Sequence, residues 1–166
     1  MCGLLGIGEA AFTEGLKSYE PLPHRLQYLG QRDGVKYYDD SISTICATTI
    51  QALKTLTDAD TVLIGGMDRG IDYGELIQFL SGSPIPHIVL MEATGRRIYE
   101  EIGRDYPEFA GRDRLILADH LEEAVRAARS VTRPGHSCVL SPAAASYGIF
   151  RNFEERGEAF SRYVFE

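Results

Sequence analysis

Residues 139–157 read VLSPAAASYGIFRNFEERG, in which an apolar strand runs through a bend of small residues towards a helix that opens with polar groups. The first turn of a helix has no internal acceptors for its N–H groups and carries partial positive charge. Three consecutive alanines, Ala143 to Ala145, leave room for something to lie against the main chain. The stretch therefore predicts a strand–bend–helix unit that holds a carboxylate or a phosphate.

The segments that precede this unit alternate short β-rich runs with longer amphipathic runs from Arg25 onward. This pattern is typical of strand–helix–strand crossovers on a mostly parallel sheet. Asp33-Gly34 separates the first two runs and favours a tight hairpin, because both residues tolerate positive φ. We therefore predict a Rossmann-like α/β fold with a mostly parallel sheet of about six strands, an antiparallel edge hairpin and helices on both faces.

The predicted strands are 25–30, 35–38, 61–66, 85–91, 115–117 and 137–140. The predicted helices are 9–19, 43–56, 73–80, 94–105 with Thr94 as its N-cap, one that Asp119 caps, and a last one lined by Phe150, Phe153, Gly157, Phe160 and Val164.

Composition narrows the class of protein. The 166 residues fit one domain, which buries roughly 70% of the surface of its unfolded chain. The net charge is −7 and the basic residues are scattered, so a nucleic-acid partner is not expected. The sequence has neither a basic leader before its first apolar residues nor a run of apolar residues that could span a membrane. Three cysteines without a Cys-x-x-Cys pair favour a reducing compartment. We expect a soluble, cytoplasmic protein.

Ligands collect at the carboxyl ends of parallel strands, so the loops after the strands are the candidate sites. One loop carries Asp39, Asp40 and the hydroxyl residues that follow, although Ser41 or Ser43 could simply cap a helix. Another, 65–70, offers two glycines and Arg69 for a carboxylate, although it could be an ordinary turn with a solvated arginine. We interpret the arginines of a third loop, 91–97, as surface residues.

Two absences limit the chemistry. The four histidines have no metal-ligand spacing, and no Ser/His/Asp or Cys/His arrangement can be argued from their order. The sequence also lacks the Gly-x-x-x-x-Gly-Lys-Ser/Thr loop that wraps a triphosphate. We therefore predict no metal site and no catalytic residue in this chain.

Four motifs recur in the order of a known family. They are Leu22-Pro23-His24-Arg25, Asp40-Ser41 followed by Thr44, Gly65-Gly66, and Ser141-Pro142-Ala143 with Ser146 and Phe153 after it. In these motifs the chain resembles the C-terminal domain of the MurD-type Mur ligases. The resemblance implies that 22–166 are this domain and that 1–21 are the end of a central domain with its linker, so that the chain begins partway through a larger protein.

The family joins glutamate to UDP-N-acetylmuramoyl-L-alanine in peptidoglycan synthesis. ATP phosphorylates the alanine carboxylate, and the glutamate amine attacks the acyl phosphate with the help of Mg²⁺. The resemblance implies that the missing N-terminal and central domains hold the UDP group, the phosphate loop and the magnesium ligands. The fragment alone is therefore expected to be inactive.

The resemblance also assigns binding roles. The side-chain carboxylate of glutamate is expected to meet a hydroxyl and a guanidinium, and its α-carboxylate is expected to meet a hydroxyl and main-chain amides. The residues implied for glutamate are Thr44, Arg69, Ser146 and Phe153, and those implied for the nucleotide are Arg25, facing phosphate, and Asp40, facing the ribose or base.

The chain departs from the family pattern at three positions. Ile42 and Ile45 stand where the family has a lysine and an asparagine, and Arg69 stands where many members have a lysine. The loss of a charge at Ile42 bears on which amino acid is added, because a related subgroup adds L-glutamate. We expect D-glutamate. A separate hypothesis is a stand-alone module that binds glutamate or a nucleotide without catalysis; a dinucleotide-dependent oxidoreductase is disfavoured because the Gly-x-Gly-x-x-Gly fingerprint is missing.

Overall fold

The computed structural model describes residues 6, 8–17, 22–109 and 112–166. It is an α/β domain with one six-stranded sheet, in the order β1-β2-β6-β3-β4-β5. The strands are β1 Gln27–Arg32, β2 Val35–Asp39, β3 Ala59–Gly65, β4 His87–Met91, β5 Leu115–Ala118 and β6 Ser137–Leu140. The helices are α1 Glu9–Lys17, α2 Cys46–Thr55, α3 Gly74–Gly82, α4 Glu92–Asp105, α5 Leu121–Val131 and α6 Phe153–Phe165.

The predicted fold class is confirmed. β1 and β2 form the antiparallel edge pair, and every other neighbouring pair of strands is parallel. The turn between β1 and β2 lies at Asp33-Gly34, with φ values of 53° and 81° that suit this pair. Because β2 to β6 run in the same direction, their carboxyl ends meet at one edge of the sheet, which we call the carboxyl edge.

Helices cover both faces of the sheet, as predicted. One face packs against α2, α3 and α4 through a core that includes Leu53, Leu76 and Ile98. The other face packs against α5 and α6 through a core that includes Val125 and Phe160. Strands β3, β4 and β6 lie between the two layers and are buried almost throughout, so they provide a rigid base for the loops at the carboxyl edge.

The predicted N-caps of α4 and α5 were wrong. Thr94 is buried within the first turn of α4, and its N–H donates to the carbonyl of Gly66. The N-cap of α5 is His120, whose Nδ1 accepts from the N–H of Glu123, while the Glu123 carboxylate accepts from the N–H of Asp119. This pairing resembles a capping box, with a histidine in place of the usual hydroxyl and with the return bond made to the N–H of the residue before the N-cap.

The N-terminal segment is described only in part. The predicted helix at 9–19 is observed as α1, and its last two residues lie outside the described part. Residues 1–5 and 18–21, which carry Cys2 and most of the predicted linker, also lie outside it. The division into 1–21 and 22–166 therefore stays a prediction. None of the described helices has the length and apolar character needed to cross a membrane.

Gly65 and Gly66 allow the main chain at the end of β3 to approach the main chain of the adjacent loops closely. Their φ values are 141° and 152°, a region that only glycine occupies without strain. A Cβ on Gly65 would lie 1.9 Å from the carbonyl oxygen of Met91, and a Cβ on Gly66 would lie 2.4 Å from that of Ala145. The two glycines therefore bring the loops after β3, β4 and β6 into main-chain contact.

We expect Gly65→Ala to destabilise the chain by about 3 kcal/mol or more, because it combines strained φ with overlap against a main-chain atom. The matched control is Gly103→Ala in α4, where no atom lies within 4 Å of the added Cβ. Alanine there should stabilise the chain by up to about 1 kcal/mol. Urea unfolding monitored by circular dichroism measures both changes. Equal unfolding midpoints for the two variants would contradict the packing described for Gly65.

Candidate functional site

A buried arginine ties together the loops of the carboxyl edge. Arg156 of α6 has no exposed surface, and its Nη1 donates to the carbonyl of Ala144 at 3.1 Å. Its Nε and Nη2 donate to the hydroxyl and the carbonyl of Ser41, at 3.0 and 2.8 Å. Burial lowers the pKa of Arg156 to about 10, against the opposing influence of Glu92 and Asp39, so the group stays charged at neutral pH. The loops after β2 and β6 are thereby fixed to one helix.

A buried carboxylate makes a second connection. Asp40 accepts from the N–H of Leu26 through Oδ1 and from the hydroxyl of Ser141 through Oδ2, at 3.1 and 2.7 Å. Burial raises the pKa of Asp40, while hydrogen bonds from Ser43 and Ser141 act in the opposite direction. Both carboxylate oxygens are therefore engaged by the chain itself, and Asp40 joins the start of β1 to the loop after β6.

The four residues predicted to bind glutamate line one cleft. This cleft, which we call the Arg69 cleft, has a volume of about 270 Å³. Its lining residues are Ile42, Thr44, Arg69, Ala145, Ser146, Tyr147 and Phe153. The structure thus brings the loops after β2, β3 and β6 and the start of α6 to one place, although the residues are as much as 109 positions apart in sequence (Thr44 to Phe153).

The chemistry of the Arg69 cleft suits an anion. Nη2 of Arg69 donates to the carbonyl of Thr44 at 2.7 Å, which holds the guanidinium at the cleft through main chain. The main-chain N–H groups of Ser146, Tyr147 and Gly148 make no hydrogen bond within the described part of the chain. A fixed guanidinium and amides without an internal acceptor are the donors that carboxylates take.

The bend itself differs in shape from the predicted unit. β6 ends at Leu140 and α6 begins at Phe153, so residues 141–152 form a longer loop than a single turn from strand to helix. The predicted room at the alanines is filled by the protein, because Ala143 to Ala145 are buried against neighbouring loops and Arg156. The amides left for a ligand lie further along, from Ser146 to Gly148.

The two residues predicted to face the nucleotide line a second cleft. This cleft, which we call the Arg25 cleft, has a volume of about 240 Å³ between the start of β1 and helix α2. Its lining residues are Arg25, Leu26, Asp40, Thr48, Gln51, Ala52 and Thr55. Arg25 is exposed and makes one long contact, 3.5 Å, to the hydroxyl of Ser43. Its guanidinium is therefore available to a ligand, whereas the carboxylate of Asp40 is not.

Larger depressions lie away from the carboxyl edge. One of about 680 Å³ is lined mostly by charged residues, such as Arg126 of α5, Asp33 of the hairpin turn and Glu166 after α6. Another of about 530 Å³ lies between the ends of α2 and α3 and is mostly apolar. Neither contains a predicted site residue, so size alone does not identify the site. Among the described residues, no group of three or more His, Cys, Asp or Glu could hold a metal ion.

Sequence reasoning missed two residues that organise the site. Arg156 lies on the buried stripe of α6 between Phe153 and Phe160, and a charged residue at such a position was the signal that could have found it. Arg97 was interpreted as a surface residue, which was wrong. Its side chain is half-buried, donates to Asp68 at 2.9 Å and so ties the loop after β3 to α4.

Comparisons with known proteins give sequence relatives at moderate identity. The chain is 37% identical over 154 residues to the UDP-N-acetylmuramoylalanine–D-glutamate ligase of Chlamydia caviae, covering 93% of this chain and 35% of that protein. It is 38% identical over 159 residues to the protein of the same name from Rubrobacter xylanophilus, covering 95% of this chain and 34% of that protein. The chain thus spans about a third of the length of the curated relatives it matches. No family model matches it.

Solved structures share the fold. The MurF ligase of Thermotoga maritima in complex with ADP matches 98% of this chain with a TM-score of 0.57 and 18% sequence identity. The folylpolyglutamate synthase of Mycobacterium tuberculosis complexed with ADP matches 99% with a TM-score of 0.63 and 16% identity. In each case the match covers little more than a third of the other chain, 36% and 38%.

We expect Arg156→Met to destabilise the chain by about 3 kcal/mol, because it leaves buried carbonyls of two loops without a donor. The matched control is Arg126→Met on the exposed surface of α5, where the lost ion pair with Glu122 should change stability by at most about 0.5 kcal/mol. Urea unfolding of the two variants is the measurement. Similar losses in both would show that the three hydrogen bonds of Arg156 do not hold the carboxyl edge.

Proposed function

We propose, from its homology over 93–98% of its length to the MurD-type Mur ligases, that this chain is the C-terminal domain of such an enzyme. The reaction we propose is the ATP-dependent joining of D-glutamate to UDP-N-acetylmuramoyl-L-alanine in peptidoglycan synthesis. The observation that carries the proposal is the Arg69 cleft, which unites a guanidinium and main-chain amides without an internal acceptor in a space of amino-acid size. The reaction belongs to the larger protein, of which the chain represents about a third in its relatives.

In this proposal the Arg69 cleft binds glutamate through both carboxylates. Arg69 and the hydroxyl of Thr44 take the side-chain carboxylate, and Ser146 with the main chain near Phe153 takes the α-carboxylate. Ile42 and the ring of Phe153 give the cleft apolar surface for the methylene groups between them. An amino acid held at both ends presents its amine in a fixed direction, which is how binding geometry lowers the barrier to attack.

The D-enantiomer is supported by the names of the relatives, which specify D-glutamate. Ile42 stands where the family has a lysine. Among the residues that the structure describes in the lining of this cleft, Arg69 is therefore the one that carries a positive charge. A competition assay between D- and L-glutamate on the full-length protein tests the choice. Preference for L-glutamate would place the enzyme in the related subgroup instead.

The Arg25 cleft is proposed to face ATP. The exposed guanidinium of Arg25 fits a phosphate group, for which arginine provides a planar set of donors. Asp40 supports the Arg25 cleft indirectly, because its carboxylate accepts from the N–H of Leu26 and so fixes the main chain beside Arg25. The ribose or base contact predicted for Asp40 would require its carboxylate to give up one of these hydrogen bonds.

The chemical step needs groups that we assign to the other domains. ATP phosphorylates the alanine carboxylate, the glutamate amine attacks the acyl phosphate, an amide forms and inorganic phosphate leaves. Mg²⁺, if held by protein carboxylates, is proposed to bind outside this chain, since the described residues contain no cluster of metal ligands. This domain orients the amino acid and places a positive charge near the transferred phosphate. The cytoplasm, where these substrates occur, is the proposed location.

The isolated chain tests the division of labour. Incubated with ATP, UDP-N-acetylmuramoyl-L-alanine and D-glutamate, it should form no amide product, while the full-length protein should turn over. Product is measured by chromatography coupled to mass spectrometry. Robust product formation by the chain alone would show that the phosphate loop of another domain is dispensable.

We expect Arg69→Ala in the full-length enzyme to raise the KM for glutamate by one to two orders of magnitude, because it removes a charge-assisted contact worth about 1.5–3 kcal/mol. Arg96→Ala is the matched control, since Arg96 is exposed and pairs with Asp119 outside both clefts. Steady-state kinetics with varied glutamate and varied ATP is the measurement. An unchanged KM for glutamate in Arg69→Ala would show that this guanidinium does not meet the substrate.

A further inference from the structure

The main chain on either side of Arg25 is strained. His24 and Leu26 have φ values of 59° and 46°, a left-handed region that bulky residues with a Cβ seldom occupy. Such a conformation costs about 1–3 kcal/mol per residue and persists only where neighbouring groups enforce it. The residue between the two, Arg25, is the exposed arginine of the Arg25 cleft. The strain therefore sets the direction in which this guanidinium leaves the main chain.

Two consecutive carboxylates at the end of β2 enforce this conformation. Asp40 accepts from the N–H of Leu26, as described above. Oδ2 of Asp39, whose side chain is 1% exposed, lies 2.7 Å from Nδ1 of His24. Because an ionised carboxylate has no proton to donate, Nδ1 of the ring must carry the hydrogen. Asp39 therefore fixes the tautomer and the orientation of the imidazole as well as its position.

The ring of His24 also reaches the other cleft. Its centroid lies 6.0 Å from that of Phe153 in an edge-on arrangement, and Phe153 lines the Arg69 cleft. The imidazole and Asp39 fill the space above Gly157, where an added Cβ would lie 2.3 Å from Nδ1 and from Oδ2. The ring is thus packed between Gly157 and Phe153, and through Phe153 it adjoins the wall of the Arg69 cleft.

The pair also lies near a buried positive charge. Besides His24, Asp39 accepts from the N–H of Ser41 at 2.8 Å through Oδ1. Ser41 in turn accepts from Arg156, which acts on Asp39 as a nearby positive charge. The pair is therefore anchored to the same buried guanidinium that holds the loops of the carboxyl edge.

We propose that His24 and Asp39 form a positioning pair that couples the Arg25 cleft to the Arg69 cleft. The hydrogen bond to Asp39 fixes the main chain that carries Arg25, and the ring edge fixes Phe153 in the wall of the amino-acid site. Neither residue needs to touch a substrate. The roles of the two clefts rest on the function proposed above, whereas the geometry of the pair does not.

The test uses the full-length enzyme and separates the two halves of the His24 side chain. His24→Ala removes both halves. His24→Asn keeps an N–H at the position of Nδ1 and tolerates positive φ, but it lacks the ring. Arg25→Ala and Arg69→Ala serve as references for damage to one cleft only. KM for ATP and KM for glutamate are measured for each variant, together with the unfolding midpoint.

We expect His24→Ala and Asp39→Ala each to raise both KM values by about tenfold, and the double variant to be no worse than either single variant. His24→Asn should leave KM for ATP within about twofold of the wild type and raise KM for glutamate by about tenfold. A His24→Ala variant that changes only one KM, or a His24→Asn variant that changes neither, would overturn the coupling.

A measurement on the unmodified 166-residue chain covers variants that fail to fold. The ¹⁵N chemical shifts of the neutral His24 ring should show the Nδ1–H tautomer, which is the minor form in free histidine. The Nε2–H form would overturn the pair whatever the variants do. If the wild-type full-length protein has no glutamate-dependent turnover, the proposed function fails, and the tautomer still decides whether the pair exists.

Discussion

The carboxyl edge depends on one buried guanidinium. Arg156 is fully desolvated, and it donates to Ser41 twice and to Ala144 once. Burying a charge is costly unless its hydrogen bonds are made, and these three bonds go to loops that would otherwise leave carbonyl oxygens without partners. A lysine would supply a single point of attachment in place of a planar fork, so it could not bridge the same acceptors. Arg156 thereby fixes the loops after β2 and β6, and both of these loops line the Arg69 cleft.

The residues that surround the guanidinium of Arg156 are small because the loops pack closely around it. A Cβ on Gly66 would lie 3.0 Å from Nη1 of Arg156 and 3.2 Å from the side chain of Ala144, so the loops after β3 and β6 can close over the guanidinium only with small residues. Closing the loops leaves the amides from Ser146 to Gly148 outside the packed layer, beside Arg69. The alanines that suggested a ligand against the main chain therefore serve a buried cation, and the ligand groups lie a few residues further along.

The sequence predicted the architecture because architecture follows from periodicity. Alternating runs and the Asp33-Gly34 turn predicted six strands and an antiparallel edge, and both are observed.

The contacts that side chains make with distant segments could not be predicted from the sequence. Whether Asp40 points to a ligand or to the N–H of Leu26 depends on contacts between segments far apart in the chain. The cap at His120 was missed for a local reason: Asp119 is the better cap by type, but its N–H donates to the Glu123 carboxylate, and the ring of the next residue, His120, accepts from the N–H of Glu123. The grouping of Thr44, Arg69, Ser146 and Phe153 in one cleft is a result that spacing alone could not have given.

The two edges of the sheet have opposite electrostatic effects on folding. At the amino ends of the strands, burial tends to raise the pKa of Asp58 and Asp60, but hydrogen bonds from Lys36 and Arg133 outweigh it and both pKa values are lowered. Such groups add stability above their unfolded pKa, and this is lost as pH falls through the folded value. At the carboxyl edge, burial raises the pKa of Asp40 and Glu92, so their ionisation reduces stability as pH rises from the unfolded to the folded value. As pH falls, the paired carboxylates at the amino ends lose their contribution while protonation relieves the penalty at Asp40 and Glu92, so the two edges respond to acid in opposite senses.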